Sequence, residues 1–499
     1  MTVTGGSDNL NQQASPPALP PQIDVPDVVW GVWGTGAEGR AAVAYLDAHG
    51  ASSRIVADES PGHAWPELPA DARLFTGPGA LEHLLDADRV VVSPGVPGVH
   101  PFRDRLAAAG IAVTSGTDLW LASHHDRVIG VTGTKGKSTT TSLVAALLNA
   151  TGVPARVAGN IGVPLLSLPD FGGWTAAELS SYQCHSITRS PRIAVIANLY
   201  QEHLNWHGDL DAYWRDKCRI FTCGAEVLVC DPPTLATIQA LGVDTSGVDV
   251  RMPDDATQAL VAHGLALVPD APLLLASAHG RHNLALAVCA VQAAGISPSA
   301  EQLADAVRAF TPLPHRLSLV AHAAGRDWYD DTLSTSAESV VAALEALKGR
   351  PRVVLVGGQS RGISYDVLND YLLAQAPGEE VSVVTVPSNG PEIVASYESA
   401  HPDRVTHAET LATAVPLAAQ AGMDGGCVVL SPGAPSYDLY ANHEAKSAEF
   451  VECVGRLHDP SDSRIMVADA LTADDGIDVE FESVRDRSLP SDRVPTFED

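Results

Sequence analysis

The segment Thr132-Gly133-Thr134-Lys135-Gly136-Lys137-Ser138-Thr139-Thr140 has the residue types that hold the phosphates of a nucleotide. Glycines let backbone N–H groups face an anion, Lys137 can reach the β- and γ-phosphates, and the hydroxyl of Ser138 or Thr139 can hold Mg2+. Val131 stands where a strict phosphate-binding loop has its first glycine. The apolar run RVIGV before the loop and TTTSLVAALLNATG after it place it between a strand and the positive end of a helix. A second turn, Gly34-Thr35-Gly36-Ala37-Glu38-Gly39, follows VVWGVW and opens a helix, and Asp58 ends the next apolar run. This is the pattern of a dinucleotide-binding turn, and equally of a tight strand-to-helix turn with no ligand. Nothing else in the sequence supports hydride transfer.

The elements that must position these turns are short Val/Ile/Leu runs alternating with Ala/Leu-rich helical stretches. PRVVLVGGQS and GCVVLSPG repeat the arrangement near the C-terminus. Such alternation predicts an α/β fold of parallel sheets covered on both faces. Proline and glycine punctuation puts boundaries near 122–127 and 312–315. Residues 1–27 read as a disordered leader rich in Pro, Ser and Gln, and the stretch from 459 to 499 as an acidic tail. The 499-residue chain is 45% hydrophobic and 18% charged, enough apolar material for several separate cores. Its net charge of −29 excludes general binding to nucleic acid or an anionic membrane, so an anionic ligand needs local cations or helix N-termini. Seven cysteines without a C-x-x-C pair argue against a disulfide framework or a structural zinc site. With no membrane-spanning run and no signal peptide, the expected location is the cytoplasm.

In sequence order, the G-T-x-G-K-S-T loop is followed by Gly159-Asn160-Ile161-Gly162, Glu178-Leu179-Ser180-Ser181-Tyr182-Gln183, Asn198-Leu199-Tyr200-Gln201-Glu202-His203-Leu204, Tyr213-Trp214-Arg215-Asp216-Lys217, Gly280-Arg281-His282-Asn283, His315-Arg316, Asp331 and Leu430-Ser431-Pro432-Gly433-Ala434-Pro435-Ser436. This series resembles the Mur ligases, which use ATP to build the peptide of the cell-wall precursor. The resemblance spans residues 28–457 and implies a three-domain architecture: a Rossmann-like UDP-binding domain at 28–122, a central P-loop ATPase domain at 123–312 and a Rossmann-like amino-acid-binding domain at 313–458. It implies that Gly34, Gly36, Gly39 and Asp58 hold the UDP part and that Gly133 through Thr139 hold the ATP phosphates. Asn283, Arg316 and Asp331 are implied nucleotide contacts, Asn160 an acceptor contact, and Ser436 a contact of the incoming amino acid. Lys137, Glu178, His203 and Lys217 carry over as catalytic residues, and Ser138, Glu178, His203 and Lys217 as Mg2+ ligands, with Lys217 carbamylated by CO2.

The order and spacing look most like the glutamate-adding branch. Lys135 stands where Asn is usual there, Leu333 where a substrate-contacting Lys is usual, and Arg361 where another Lys is usual. These departures resemble a sub-branch that adds L-glutamate to UDP-N-acetylmuramoyl-L-alanine and leaves inversion to a separate epimerase. An arginine at 361 can grip a carboxylate with two parallel hydrogen bonds, which a lysine cannot. The alternatives are the same ligation with D-glutamate, a folylpolyglutamate synthase, and a non-catalytic nucleotide-binding regulator derived from a ligase. The Gly34–Gly39 turn argues against the synthase, and the retained Glu178, His203 and Lys217 argue against the regulator.

Overall fold

The computed structural model describes residues 28–457 except 52, 62–64, 66, 67, 203, 313, 361 and 438. The leader, the acidic tail, His203 and Arg361 therefore lie outside the described residues. The chain forms two compact units: one runs to Pro253 and includes Cys289–Ser297, and the other takes Asp254–Val288 and continues from Pro298.

The first unit holds two parallel sheets. Strands β1 (Val29–Trp33), β2 (Ser53–Asp58), β3 (Ala72–Thr76), β4 (Arg89–Val92) and β5 (Ala112–Thr114) lie in the order β3-β2-β1-β4-β5. Strands β6 (Val128–Thr132), β7 (Ala155–Gly159), β8 (Trp174–Glu178), β9 (Ile193–Ile196), β10 (Val227–Val229) and β11 (Asp249–Arg251) lie in the order β11-β10-β9-β6-β8-β7. The central strand β6 is buried at every position, as a strand covered on both faces must be. One apolar cluster runs from Trp30, Val32 and Leu46 to Leu165, Ala177 and Ile196, so the two sheets share a core.

Register decides which side chains meet. Trp33 pairs with Ala57 and with Val92, which brings Gly34, Asp58 and Ser93 out at one sheet edge. Val131 pairs with Glu178 and with Val195, so Glu178 emerges beside the phosphate-binding loop. Both groups sit at the C-terminal ends of strands on either side of the first strand, where open parallel sheets place ligands.

In the second unit, β12 (Ser318–Ala323), β13 (Arg326–Asp330), β14 (Arg352–Val356), β15 (Val381–Thr385), β16 (Val405–His407) and β17 (Cys427–Leu430) lie in the order β12-β13-β17-β14-β15-β16. One edge of this sheet departs from parallel pairing: β12 pairs antiparallel with β13 through a tight turn at Ala324 and Gly325, both at positive φ. Val340, Leu344 and Leu368 cover one face of this sheet, and Leu411, Val415 and Phe450 the other. Asp330 pairs with Leu430, and Leu355 with the same residue, so Asp331, the Gly357 turn and the Ser431 loop share one edge.

Candidate functional site

The first-sheet turn is built by close approach. A Cβ on Gly39 would lie 2.0 Å from the Gly34 carbonyl oxygen, so only glycine lets the Ala37–Ala48 helix start here. Asp58 braces the turn, its Oδ2 accepting from Thr35 N (3.0 Å) and Thr35 Oγ1 (2.8 Å). Burial works against its charge, but hydrogen bonds from Ser60 and Thr35 outweigh it and hold the carboxyl below the usual range. Gly36 caps the helix without a side-chain bond, which leaves first-turn amides for an anion. Ser93 Oγ is buried and has no hydrogen-bond partner among the described residues.

The phosphate-binding loop follows β6. Gly136, at φ +78°, caps the Lys137–Ala150 helix and again brings no side-chain oxygen to its amides. Asn198, at the end of the strand beside it, clamps the front of the loop: Oδ1 accepts from Thr134 N (3.1 Å) and Lys135 N (2.8 Å), and Nδ2 donates to Lys135 O (3.0 Å). The phosphates are thus left to the amides from Gly136 onward. Lys137 Nζ rests 3.0 Å from Thr134 O, and Lys135 is ion-paired with Glu202. Asn198→Ala removes three hydrogen bonds of about 1 kcal/mol each and is expected to weaken ADP binding by up to about 100-fold; calorimetric titration with ADP checks this.

Two buried groups flank the loop. Glu178, at the end of β8, is 1% exposed. Its Oε1 accepts from Asn160 Nδ2 at 2.8 Å, while Oε2 is buried with no hydrogen-bond partner among the described residues. A buried carboxylate oxygen left unpaired is costly, and a cation relieves that cost. Lys217, on the Leu210–Thr222 helix, is also 1% exposed, and its Nζ donates to Gly133 O at 2.7 Å. Burial, and next the charge of Lys137, push its pKa down to about 7. The orphan Glu178 oxygen beside the loop fits a bound Mg2+. Ser138 lies at the start of the same helix as Lys137. Among the described residues no three His, Cys, Asp or Glu side chains form a ready metal cluster, and the expected ligand His203 lies outside them.

The second unit carries its own polar edge. Asp331, 5% exposed, accepts from Leu317 N (3.1 Å) and Ser431 Oγ (2.7 Å). Burial raises its pKa to about 6, against the hydrogen bonds of Ser334 and Ser431 and the charge of Arg316. Arg316 Nε and Ser436 Oγ are buried without hydrogen-bond partners among the described residues, so both retain capacity for a ligand. Asn283, on the Ala278–Ala293 helix, is 7% exposed. The Gly357–Gln359 turn is bonded to the Ser436 loop through Gln359 N to Pro435 O (2.7 Å), and buried Lys446 donates to Gly357 O (2.6 Å). Sequence reasoning singled out neither Asn198 nor Lys446 as a site residue, and only their contacts reveal their work.

The family model of the Mur ligase middle domain matches residues 131–241, and that of the MurD-like N-terminal domain matches residues 29–115. A UDP-N-acetylmuramoyl-L-alanine–L-glutamate ligase from Micromonospora sp. is 39% identical over 437 residues, covering 85% of this chain and 95% of the relative. The enzyme of the same name from Xanthomonas euvesicatoria is 35% identical over 483 residues, covering 90% of this chain and 97% of the relative. Among solved structures, the MurF ligase of Thermotoga maritima in complex with ADP superposes with a TM-score of 0.53 at 14% identity, over 87% of this chain and 97% of that one. MurF from Acinetobacter baumannii gives 0.53 at 17% identity, over 85% and 90%. At these identities the structural likeness speaks for the fold.

Proposed function

Because the chain belongs to the Mur ligase family, on its MurD-like side, we propose that it joins L-glutamate to UDP-N-acetylmuramoyl-L-alanine with cleavage of ATP to ADP and phosphate. One observation carries the reading. A buried, half-satisfied Glu178 and a buried Lys217 flank a phosphate-binding loop, in a chain that aligns nearly end to end with L-glutamate ligases. The functional domains are taken as 28–122, 123–312 and 313–458.

The alanyl carboxylate oxygen of the acceptor attacks the γ-phosphorus of ATP, the bond to the ADP oxygen breaks, and an acyl phosphate forms. The glutamate amine then attacks the acyl carbon, loses a proton, and the tetrahedral intermediate expels inorganic phosphate. Lys137 and the amides from Gly136 to Thr139 neutralise charge on the transferring phosphoryl group. Ser138, Glu178, His203 and a carbamylated Lys217 would hold Mg2+, which would supply further electrostatic stabilisation of the phosphates. Arg316, Asp331 and Asn283 bind the nucleotide, and Asn160 orients the acceptor. Gly34, Gly36, Gly39 and Asp58 hold the UDP part. Ser436 and Arg361 receive the glutamate carboxylates. An L-configured product requires an epimerase acting on it wherever the D-configuration is needed downstream. No helix among the described residues is long and apolar enough to cross a membrane, which accords with a cytoplasmic reaction on soluble substrates.

Carbamylation requires the neutral amine: its nitrogen attacks CO2 and releases a proton. With Lys217 near pH 7, the carbamate fraction is expected to climb from pH 6 to pH 8, in a 13C NMR signal after 13C-bicarbonate labelling. Separately, the UDP-muramoyl acceptor is expected to raise the Tm of the protein with a non-hydrolysable ATP analogue. A shift with a folate acceptor instead would reassign the chain to the folylpolyglutamate synthases.

A further inference from the structure

Glu178 and Lys217 come from different elements, and their usefulness depends on a fixed spacing across the phosphate-binding loop. Among the described residues a hydrogen-bonded bridge joins the segments that carry them. The Ser181–His185 helix begins just beyond Glu178, and its first residue, Ser181, places Oγ 3.0 Å from His207 Nε2. His207 Nδ1 lies 2.7 Å from Asp216 Oδ2. Asp216 immediately precedes Lys217 on the Leu210–Thr222 helix, and its Oδ1 receives His185 Nδ1 at 3.0 Å, which closes the bridge back onto the Ser181 helix. The His207 side chain is 0% exposed.

The chemistry of the bridge is directional. A carboxylate only accepts, so His207 presents Nδ1–H to Asp216, and Nε2 pairs with the Ser181 hydroxyl, which can donate or accept. Each ring nitrogen is used, and the imidazole cannot turn without breaking a buried bond. The Leu204–His207 helix that carries it is only 4 residues long and cannot hold itself by its own hydrogen bonds. It is held by the bridge and by Trp206, whose ring stacks on Tyr182 at 4.6 Å and meets His185 edge-on at 5.2 Å. The bridge touches neither the loop nor the orphan Glu178 oxygen directly. It ties together the two segments that carry the proposed metal-binding groups, the arrangement by which outer partners orient inner ligands.

We infer that His207 is a positioning residue: through Ser181 on one side and Asp216 on the other, it sets the spacing between Glu178 and Lys217. The inference rests on the proposed Mg2+ and carbamate roles of those two residues. It also gives a use to the W-H-G portion of the NLYQEHLNWHG segment, which the reaction chemistry leaves unassigned.

The test uses the full chain and reads binding as well as turnover. Wild type, His207→Ala, Asp216→Asn and the conservative His207→Gln are titrated with MgCl2 in the presence of a non-hydrolysable ATP analogue, with Tm as readout. The same proteins are labelled with 13C-bicarbonate, and ligation is followed at each Mg2+ concentration. His207→Ala and Asp216→Asn are expected to raise the Mg2+ concentration for half-maximal stabilisation about tenfold and to lower the carbamate signal. His207→Gln, whose amide can still pair with the Ser181 hydroxyl, shifts the midpoint less. Affinity for the analogue in EDTA is expected to match wild type, because the loop amides are untouched. Mg2+ midpoints within twofold of wild type in the Ala and Asn variants, whatever their thermal stability, overturn the inference; if His207→Ala fails to fold, Asp216→Asn and His207→Gln decide it. A shifted midpoint in proteins of which even the wild type does not ligate supports the positioning role and overturns the proposed function instead.

Discussion

Lys217→Ala is expected to lower ligation by at least about three orders of magnitude, a loss of about 4 kcal/mol of transition-state stabilisation. The side chain is buried beneath the phosphate-binding loop, and its amine is held at Gly133 O with a pKa lowered to about 7, the state from which the proposed carbamate anion would form. Alanine removes that anion and opens a cavity, so activity and stability both fall, and a second readout is needed to separate them. ADP affinity is expected to fall less than tenfold, because Asn198, Gly136 and the helix amides that hold the phosphates remain in place. Calorimetry with ADP and a coupled ADP-release assay give the two numbers. A variant that binds ADP weakly and ligates in proportion would assign Lys217 to loop structure alone.

Glu178→Gln is expected to cost about 100- to 1,000-fold in ligation while leaving the Tm of the nucleotide-free protein at or above wild type. The Asn160 contact to Oε1 survives the change, but the unpaired Oε2 is replaced by an amide nitrogen that repels a cation. A buried carboxylate with an orphan oxygen is a liability in a resting fold and an asset only when a cation arrives. Loss of function with retained or raised stability is the signature of that trade. It is read by parallel melting curves and turnover at saturating Mg2+. A large fall in Tm would mean that Glu178 serves chiefly to brace the Asn160 turn.

Much of the fold was legible because burial on both faces writes itself as uninterrupted apolar runs. VIGVT, RVVLV and CVVL became β6, β14 and β17 where they stood. The β12–β13 hairpin was not legible: its turn is Ala-Gly rather than Asn-Gly, and its edge strand is only partly buried. The strand-turn-helix at Gly133–Thr139 was readable because backbone exposure and helix capping depend on local residue type. The Asn198 clamp, the Lys135–Glu202 pair and the Ser181–His207–Asp216 bridge were not, because each joins residues far apart in the chain whose meeting is set by strand order. The resemblance implied that Asp58 holds the UDP part; what the sequence did not reveal is that its carboxylate also accepts from Thr35 and Ser60 and so braces the turn. Lys446 was not legible as a site residue, because its burial against Gly357 O joins residues far apart in the chain.

The central claim is the addition of L-glutamate to a UDP-muramoyl-L-alanine acceptor. The most direct measurement is ligation with ATP, Mg2+ and UDP-N-acetylmuramoyl-L-alanine, run in parallel with L- and D-glutamate and read by ADP release and product mass. The account predicts a product mass increased by one glutamyl residue, with turnover on the L-isomer at least about 100-fold above that on the D-isomer, a discrimination of about 2.7 kcal/mol. Turnover confined to D-glutamate would contradict it and make Leu333 and Arg361 tolerated changes within the D-adding branch.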